Sequence, residues 1–409
     1  MKAIVKPTPI HGKEWSKGLQ FVDRDEPVIS SPHEIKLRVL YGAICGTDVG
    51  IYNAKDSLRR EMSVVKKENT IIGHEFCGQI ISYGKKAQTI LLQKLRDEYG
   101  KDIVVKKFLQ RIAKGKSTTL EIANFLEKEF YASAEMHITD GTCYQCKLGE
   151  KHVCQKTVIK GVHDDGAFTN FVVVPVENIV LFRKGEIPPE IIAFMDALGN
   201  ATHTVQSVPV VVKTIVVTGC GVQGLMATAV AKMAGAKTVF VTDSSHGEFT
   251  HEKLLGKHFR LAKLYGAKDC FDIAIPEEKE RFYSTVLKAT GNAGADAVLE
   301  MSGSYKAYED AFKVVRSGGE ISLLGLPFGK MEMDFAKDVI FKGITIHGII
   351  GRRVFETWNM MREILKKGLA KKFMKTGFIT HKLPLSQFEE AFAAIRCGDG
   401  IKVLLQPEK

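Results

Sequence analysis

Residues 214–224 have the sequence Thr-Ile-Val-Val-Thr-Gly-Cys-Gly-Val-Gln-Gly, in which an apolar run is followed by three glycines. The run predicts a buried strand, and the residues after the glycines, up to Ala234, predict a helix. In this setting Gly219 permits a tight turn, Gly221 lets a pyrophosphate approach the backbone, and Gly224 lets the helix pack closely on the strand. A glycine-rich turn of another purpose is the alternative, but the flanking strand and helix favour a dinucleotide site.

The residues around this turn favour NAD over NADP. The amide groups of Val222 and Gln223 open the predicted helix, where they and the helix dipole would face the phosphates. Asp243 ends the next predicted strand, where a carboxylate can bind the ribose hydroxyls. That charge would repel a 2′-phosphate, and residues 244–246, Ser-Ser-His, supply no Arg or Lys to receive one.

Strand and helix patterns alternate beyond the glycines, with further apolar strands at residues 238–242, 297–301 and 321–325. Such alternation predicts a parallel, doubly wound sheet with helices on both faces. The chain up to about residue 84 is rich in alternating strand patterns instead, and residues 85–130 change to a helical pattern. The sequence therefore predicts an α/β fold with a β-rich domain, a doubly wound domain and a helical insert.

Length and composition set limits on the class of protein. The 409 residues exceed one typical domain, and 45% hydrophobic with 26% charged residues is a globular composition. The net charge of +11 is spread along the chain, so we expect no nucleic-acid partner. No apolar run spans a bilayer and the N-terminus lacks a secretory signal, so we expect no membrane partner and a cytoplasmic location. Eight cysteines in such a chain suggest metal ligands and reduced thiols.

A cysteine and a His-Glu pair form a candidate metal site. The pair, His74 and Glu75, begins the stretch His-Glu-Phe-Cys-Gly, and Cys45 lies upstream. A thiolate, an imidazole and a carboxylate suit a catalytic Zn²⁺ with an open position, although Glu75 either binds the metal or orients another ligand. The alternative is a buried cysteine that is unrelated to a His-Glu pair on the surface.

Zinc and nicotinamide together predict oxidation of an alcohol. Thr47 is a candidate to pass on the hydroxyl proton, and the alternative is an ordinary capping residue.

A second cluster has the spacing of a structural zinc site. Cys143, Cys146 and Cys154 supply three thiolates within twelve residues, and Asp140 lies three residues before the first. A carboxylate can complete a tetrahedral Zn²⁺ site, although four thiolates are more usual. His152 is a rival fourth ligand, and unligated thiols are the alternative to a metal.

These motifs resemble the zinc-dependent medium-chain dehydrogenase/reductase superfamily, whose zinc signature matches the pattern Gly-His-Glu-x2-Gly-x5-Gly-x2-Ala at residues 73–87. Within it, the chain is most similar to the L-threonine 3-dehydrogenase family. The segments that carry this similarity are residues 43–49, 137–139, 196–201, 300–303, 339–343 and, most discriminating, 348–358 (Gly-Ile-Ile-Gly-Arg-Arg-Val-Phe-Glu-Thr-Trp).

The resemblance implies a domain division. Residues 1–187 and 348–409 would form a GroES-like, β-rich catalytic domain, and residues 188–347 a Rossmann domain for NAD. The active site would lie between them, and the family's usual assembly implies a homo-oligomer, a tetramer or a dimer.

The resemblance also assigns roles to site residues. It implies that Cys45, His74 and Glu75 bind catalytic zinc, that Asp196 stands where a fourth acidic ligand can occur, and that Thr47 belongs to the proton relay. The small-molecule alcohol substrate would be L-threonine, oxidised by NAD⁺ to L-2-amino-3-oxobutanoate.

Three features depart from the family pattern. Gly50 stands where the family usually has a histidine that relays the proton to solvent, and Asp140 replaces the first structural cysteine. The helical insert replaces a short loop and strand beside the catalytic domain. These departures leave two alternatives open. One is a dehydrogenase for a polyol, cyclitol or sugar derivative, and the other is a dinucleotide-binding assembly protein that has lost catalysis.

Overall fold

The computed structural model describes residues 1–408, which contain 18 strands and 16 α-helices. The strands are β1 Lys2–Pro7, β2 Gln20–Asp23, β3 Glu34–Ala43, β4 Asn69–Ile71, β5 Phe76–Tyr83, β6 Phe130–Ala134, β7 His137–Ile138, β8 Val158–Ile159, β9 Phe171–Pro175, β10 Ile179–Arg183, β11 Thr214–Thr218, β12 Thr238–Asp243, β13 Asp269–Asp272, β14 Ala295–Glu300, β15 Val315–Leu323, β16 Thr345–Gly348, β17 Ile379–Pro384 and β18 Lys402–Gln406.

The helices connect these strands, and short 3₁₀ and π turns extend some of them. They are α1 Gly46–Tyr52, α2 Asp56–Met62, α3 Lys85–Tyr99, α4 Ile103–Ala113, α5 Thr119–Glu129, α6 Tyr144–Lys147, α7 Pro189–Ile192, α8 Met195–Gln206, α9 Val222–Met233, α10 His251–Lys253, α11 Arg260–Tyr265, α12 Pro276–Ala289, α13 Tyr305–Val314, α14 Glu356–Ile364, α15 Ala370–Thr376 and α16 Phe388–Arg396.

The strand-rich part is built around one seven-stranded sheet, in the order β10-β6-β5-β3-β18-β17 with β9 also paired to β3. Every second residue at the start of β3 is buried in this sheet, as the alternating sequence pattern predicts: Ile35, Leu37 and Val39. The C-terminal strand β18 returns to this sheet and pairs antiparallel with β3, so that Leu404 lies opposite Ala43. The end of the chain therefore reaches the segment that carries Cys45.

The second large sheet is parallel, and its order is β13-β12-β11-β14-β15-β16. The strand order reverses at β11, the strand of the opening sequence, because β12 pairs with it on one side and β14 on the other, both in parallel. This is the strand order of a Rossmann fold, in which ligands bind at the carboxyl ends of the strands where the order reverses. The predicted α/β fold, with its β-rich and doubly wound parts, is confirmed.

Three helices, α3 to α5, form the helical insert. The first run breaks at Gly100, and Asp102 caps a new helix by accepting hydrogen bonds from the amides of Val104 and Val105. Leu91 and Leu126 are among the side chains that bury the insert against the seven-stranded sheet. The insert is thus a packed extension of the β-rich core rather than a separate body.

The segment between β10 and β11 forms two helices. Pro189 starts the short helix α7, and α8 begins at Met195 after a break at Phe194. The break places Asp196 in the first turn of α8. Within residues 1–408, no helix combines the length and apolar character needed to cross a membrane.

Candidate active site

Two neighbouring strands bring the candidate metal ligands together. Cys45 follows β3 and caps the N-terminus of α1, while His74 and Glu75 directly precede β5, which pairs with β3. The amide of Ala43 donates to the carbonyl of Glu75 at 2.9 Å, which fixes the two segments side by side. One ligand atom each from Cys45, His74 and Glu75 lies within 4.8 Å of the others.

Asp48 supports this group from the first turn of α1. Its carboxylate accepts a hydrogen bond from the amide of Cys45 at 2.8 Å, and its other oxygen lies 3.5 Å from Nδ1 of His74. Burial alone would lower the pKa of His74, but the negative charges of Asp48 and Cys45 outweigh it and raise that pKa well above its ordinary value. A carboxylate behind a histidine ligand orients the ring and increases its basicity.

Glu75 is paired with a lysine from the far end of the chain. Nζ of Lys402 lies 2.5 Å from Oε2 of Glu75 and also donates to the carbonyl of Ile44 at 2.9 Å. Burial raises the pKa of Glu75, and Lys402 opposes that rise. Burial and the charge of Glu75 also raise the pKa of the Cys45 thiol. Oε1 of Glu75 has no hydrogen-bond partner.

Asp196 is the remaining candidate ligand, and one of its carboxylate oxygens forms an ion pair with Arg352. Oδ1 of Asp196 is 2.7 Å from Nη1 of Arg352, and Oδ2 is buried without a partner. Asp196 is not among the residues whose ligand atoms cluster within 4.8 Å. Burial is the main reason that the pKa of Glu75 is raised, and the charge of Asp196 adds to that rise.

The site has the properties expected of a cation site. Two buried carboxylate oxygens there, Oε1 of Glu75 and Oδ2 of Asp196, have no hydrogen-bond partner in the described structure. Buried polar atoms rarely stay unpaired unless an ion or water completes them. A soft thiolate, an imidazole and a carboxylate on a buried surface fit Zn²⁺.

The second cluster also assembles. Ligand atoms of Asp140, Cys143, Cys146 and Cys154 lie within 4.8 Å of one another, and the cysteines are free thiols. The amides of Cys143 and Thr142 donate to Oδ1 of Asp140, and these bonds lower the pKa of its carboxyl group. An ionised carboxylate among three thiols fits a structural Zn²⁺. The rival ligand His152 lies outside this group, with its ring 5.4 Å from that of His203.

The glycine-rich turn has the geometry that a pyrophosphate requires. Gly219 has φ +89°, and a Cβ atom on Gly224 would overlap the carbonyl oxygen of Gly219. Gly221 caps the N-terminus of α9, and no atom lies within 4 Å of the place its Cβ would take. The backbone amides of Val222 and Gln223 begin α9 beside this open space.

Asp243 is the last residue of β12 and lies beside the glycine-rich turn. Its carboxylate accepts hydrogen bonds from the amides of Cys220 and Ser244, both at 2.7 Å. Burial raises the pKa of Asp243, and these amide bonds oppose the rise. The carboxylate therefore sits next to the first glycines of the turn, at the position where a dinucleotide presents its ribose.

Thr47 lies next to the metal ligands, with its hydroxyl oxygen 4.0 Å from Sγ of Cys45. Gly50, one turn further along α1, is buried, and a Cβ atom built on it would overlap Cδ1 of Leu58. The space for a histidine at position 50 is thus filled by α2. Thr47 has no relay partner at that position.

Comparison with known proteins agrees with this geometry. The alcohol dehydrogenase GroES-like domain model matches residues 31–121, and the zinc-binding dehydrogenase model matches residues 223–367. L-threonine 3-dehydrogenase of Bacillus licheniformis is 33% identical over 407 residues, covering 100% of this chain and 99% of that protein. The protein of the same name from Pyrococcus horikoshii is 35% identical over 405 residues, covering 99% and 98%.

The chain belongs to the zinc-binding alcohol dehydrogenase family. Solved structures of this type share its fold at low identity. The 2R,3R-butanediol dehydrogenase of Bacillus subtilis has a TM-score of 0.74 at 20% identity and covers 100% of this chain and 99% of its own. Galactitol-1-phosphate dehydrogenase of Escherichia coli has a TM-score of 0.74 at 21% identity, covering 100% of both chains. The protein is therefore an enzyme, an alcohol oxidoreductase that uses zinc and a nicotinamide dinucleotide.

Sequence reasoning missed several residues of this dehydrogenase site. Asp48 carried a local signal, since it lies three residues after Cys45 in a helix N-terminal turn. Arg352 lay within a segment singled out only by resemblance. Lys402 and Glu135 carried no local signal, because their partners are far away in sequence. Lys402 is 327 residues from Glu75, and Glu135 is 217 residues from Arg352.

Proposed function

We propose that this dehydrogenase oxidises the secondary hydroxyl of L-threonine, with NAD⁺ as hydride acceptor, to give L-2-amino-3-oxobutanoate, NADH and a proton. One observation carries the proposal: relatives of that name match the chain along its whole length at 33% and 35% identity. The Cys45, His74 and Glu75 group supports it, since it joins a metal site to the chemistry of a secondary alcohol.

The residues of the chain divide the work of this reaction. Cys45, His74 and Glu75 would hold zinc, which when bound supplies a Lewis acid that makes the substrate hydroxyl more acidic. Thr47, whose hydroxyl oxygen lies 4.0 Å from Sγ of Cys45, would accept the substrate proton at Oγ1 while passing its own hydroxyl proton on toward solvent, and would hold the substrate oxygen in position. The amides that begin α9 would hold the pyrophosphate of the cofactor, whose nicotinamide would supply the hydride acceptor.

We propose NAD⁺ rather than NADP⁺ because of Asp243. Its carboxylate lies at the end of β12 beside the glycine turn, and residues 244–246 offer no cationic side chain. A 2′-phosphate there would meet a like charge without a compensating partner.

We also propose two zinc ions per chain and the domain division implied by the family. The catalytic zinc would use Cys45, His74 and Glu75, with the carboxylate of Asp196 as a fourth ligand, and the structural zinc would use the cluster of Asp140 and three cysteines. The catalytic domain would comprise residues 1–187 and 348–409, and the NAD domain residues 188–347. Metal analysis should give two zinc ions per chain, falling to one when Cys143 is changed to Ser.

We propose further that the protein is a homo-oligomer, a dimer or tetramer, in the cytoplasm. Strand β16 ends the parallel sheet, and large apolar side chains near it are exposed: Phe341 at 86%, Leu326 and Phe328 at 83% each. An unpaired edge beside so much apolar surface is typical of a subunit contact. The eight free cysteines suit a reducing compartment.

The test is NADH formation, followed by absorbance, with zinc-loaded protein, NAD⁺ and a panel of L-threonine, polyols and sugar alcohols. A response dominated by L-threonine supports the proposal. The second candidate, a polyol or sugar-derivative dehydrogenase, is favoured by Leu58, which fills the space of the family's relay histidine beside Gly50. A polyol turned over far better than L-threonine would establish that alternative.

A further inference from the structure

Two side chains of the segment 348–358 converge on one buried carboxylate. Nε of Arg352 lies 2.9 Å from Oε2 of Glu135, and its Nη2 donates to Oε1. Nε1 of Trp358 donates to the same Oε2 at 2.9 Å. The amide of His137 donates to Oε1 at 3.1 Å. Glu135 therefore has both oxygens saturated, and the segment that best distinguishes the family is built around it.

This arrangement continues to the metal site. Nη1 of Arg352 contacts Oδ1 of Asp196 at 2.7 Å and Oδ1 of Asn200 at 3.2 Å. Glu135 is fully buried, and Arg352 and Trp358 are 2% exposed, so water does not screen these charges. Arg352 is thus shared between two buried carboxylates, that of Glu135 and that of Asp196.

We propose that Glu135 is a positioning residue for the catalytic metal site, which acts through Arg352 to fix the orientation and charge of the Asp196 carboxylate. The inference rests on the proposed zinc site at Cys45. Glu135 orients the guanidinium fork, and the fork holds Oδ1 of Asp196, so Oδ2 is left free next to the ligands.

Charge balance gives the reason for a second carboxylate. Arg352 alone would neutralise Asp196 and remove its attraction for a cation. With Glu135 present, the group of Glu135, Arg352 and Asp196 carries one net negative charge. Asp48 adds another, while Lys402 balances Glu75. These groups therefore give the buried site a net negative charge, which attracts a cation.

A purely structural role would give a different result. In that case Glu135 would only fasten the segment 348–358 to β6, and its loss would lower stability without changing metal affinity. The chain supplies a matched control in Asp310, a buried carboxylate that accepts a hydrogen bond from Tyr283 at 2.5 Å and pairs with Lys279 at 2.8 Å. It lies on α13, outside the metal site.

The experiment uses the zinc holoenzyme with Trp15 changed to Phe, so that Trp358 is the only tryptophan. Glu135→Gln and Asp310→Asn are made in this background. Zinc affinity is measured by competition with a chromophoric chelator, and a Cys45→Ser variant reports the Asp140 cluster alone. Trp358 emission is recorded during the same titration.

We expect Glu135→Gln to weaken the Cys45-dependent zinc affinity by about 10- to 100-fold, the usual effect of losing a group behind a metal ligand. We expect the Asp140 cluster and Asp310→Asn to keep their affinity. Zinc removal should change Trp358 emission in the parent and much less in Glu135→Gln. If Glu135→Gln does not fold, Arg352→Lys, which keeps the charge but loses the fork, should show the same loss of affinity.

Three results would overturn the inference: a zinc affinity of Glu135→Gln within about twofold of the parent, an equal loss of affinity in Asp310→Asn, or no Cys45-dependent zinc binding in the parent. None of these measurements needs a substrate. A protein that shows the expected affinities but ignores L-threonine would refute the proposed substrate and leave the role of Glu135 intact.

Discussion

Leu58 occupies the space that a side chain on Gly50 would need, because a Cβ atom at residue 50 would overlap its Cδ1 atom. Gly50 lies on α1, which begins directly after Cys45 of the candidate metal site, and Leu58 lies on the next helix, α2. The absence of the family's relay histidine is therefore accompanied by a local repacking. A proton that leaves Thr47 must follow a path that does not use position 50.

The first prediction concerns this packing. Gly50→His should lower the free energy of unfolding by about 1–3 kcal/mol, because overpacking a buried position forces neighbours to move. Adding Leu58→Ala should recover most of that loss by opening the space. Denaturant unfolding measures both effects, and Gly46→Ala is the control, since no atom lies within 4 Å of its Cβ position. A Gly50→His variant as stable as the parent would show that Leu58 and α2 can move aside without a loss of stability.

The second prediction concerns the metal ligands. Cys45→Ser should abolish alcohol oxidation while NAD⁺ still binds, because the thiolate helps hold the zinc and the glycine turn is intact. Initial rates and quenching of NADH fluorescence on binding separate the two properties. Cys397→Ser is the matched control, since Cys397 belongs to neither metal cluster. Full activity in Cys45→Ser would remove the metal site from the mechanism.

The third prediction concerns cofactor choice. Asp243→Ser should raise the KM for NAD⁺ by roughly tenfold, equivalent to about 1.4 kcal/mol, and should reduce discrimination against NADP⁺. Asp296→Asn is the control, because Asp296 pairs with Arg316 in the same sheet, away from the glycine turn. Steady-state kinetics with both cofactors decide the point. An unchanged preference would mean that other groups exclude the 2′-phosphate.

The parts of this fold that were predictable from sequence depend on local signals. The apolar run predicts the strand at 214–218, and the glycines predict the turn into the helix after it. Gly219 has a positive φ angle that other residues rarely adopt, and Gly224 lies too close to Gly219 for any side chain. The sequence pattern predicted that the insert is helical. It did not predict the break at Gly100, because the helical periodicity of apolar residues does not show that Asp102 caps a new helix.

The candidate site was predictable only where its residues are neighbours in sequence. Cysteine spacing indicated the Asp140 cluster, and the His74-Glu75 pair indicated the other site. Lys402 and Arg352 were not predictable, because each reaches its partner through sheet pairing and helix packing over long sequence separations. Partners of this kind depend on tertiary structure, for which a single sequence contains no periodic signal.

The fourth prediction concerns assembly. Phe341→Lys should reduce the oligomer to a smaller species, because it places a charge on the apolar surface beside the edge strand β16. Val28→Lys is the control, since Val28 is also exposed, at 77%, but lies in the β-rich part. Light scattering after size-exclusion chromatography measures the mass. An unchanged mass for Phe341→Lys would place the subunit contact elsewhere.

The last prediction concerns stability in acid. Burial alone would raise the pKa of Glu135, but Arg352 outweighs it and lowers the pKa from 4.5 to about 2. A carboxyl group whose pKa is lower in the folded state stabilises the protein above the unfolded pKa and loses that effect as pH falls through the folded value. Glu135 should therefore contribute about 3 kcal/mol above pH 4.5, which disappears between pH 4.5 and about 2.

The measurement is the free energy of unfolding against pH for the metal-free parent and for Glu135→Gln. The parent should lose stability more steeply than Glu135→Gln over this range, since Gln binds no proton there. Asp310→Asn, measured in the same way, shows what the loss of another buried carboxylate does. Parallel curves for the parent and Glu135→Gln would mean that Glu135 is not held ionised by Arg352, and the charge balance proposed for the metal site would fail with it.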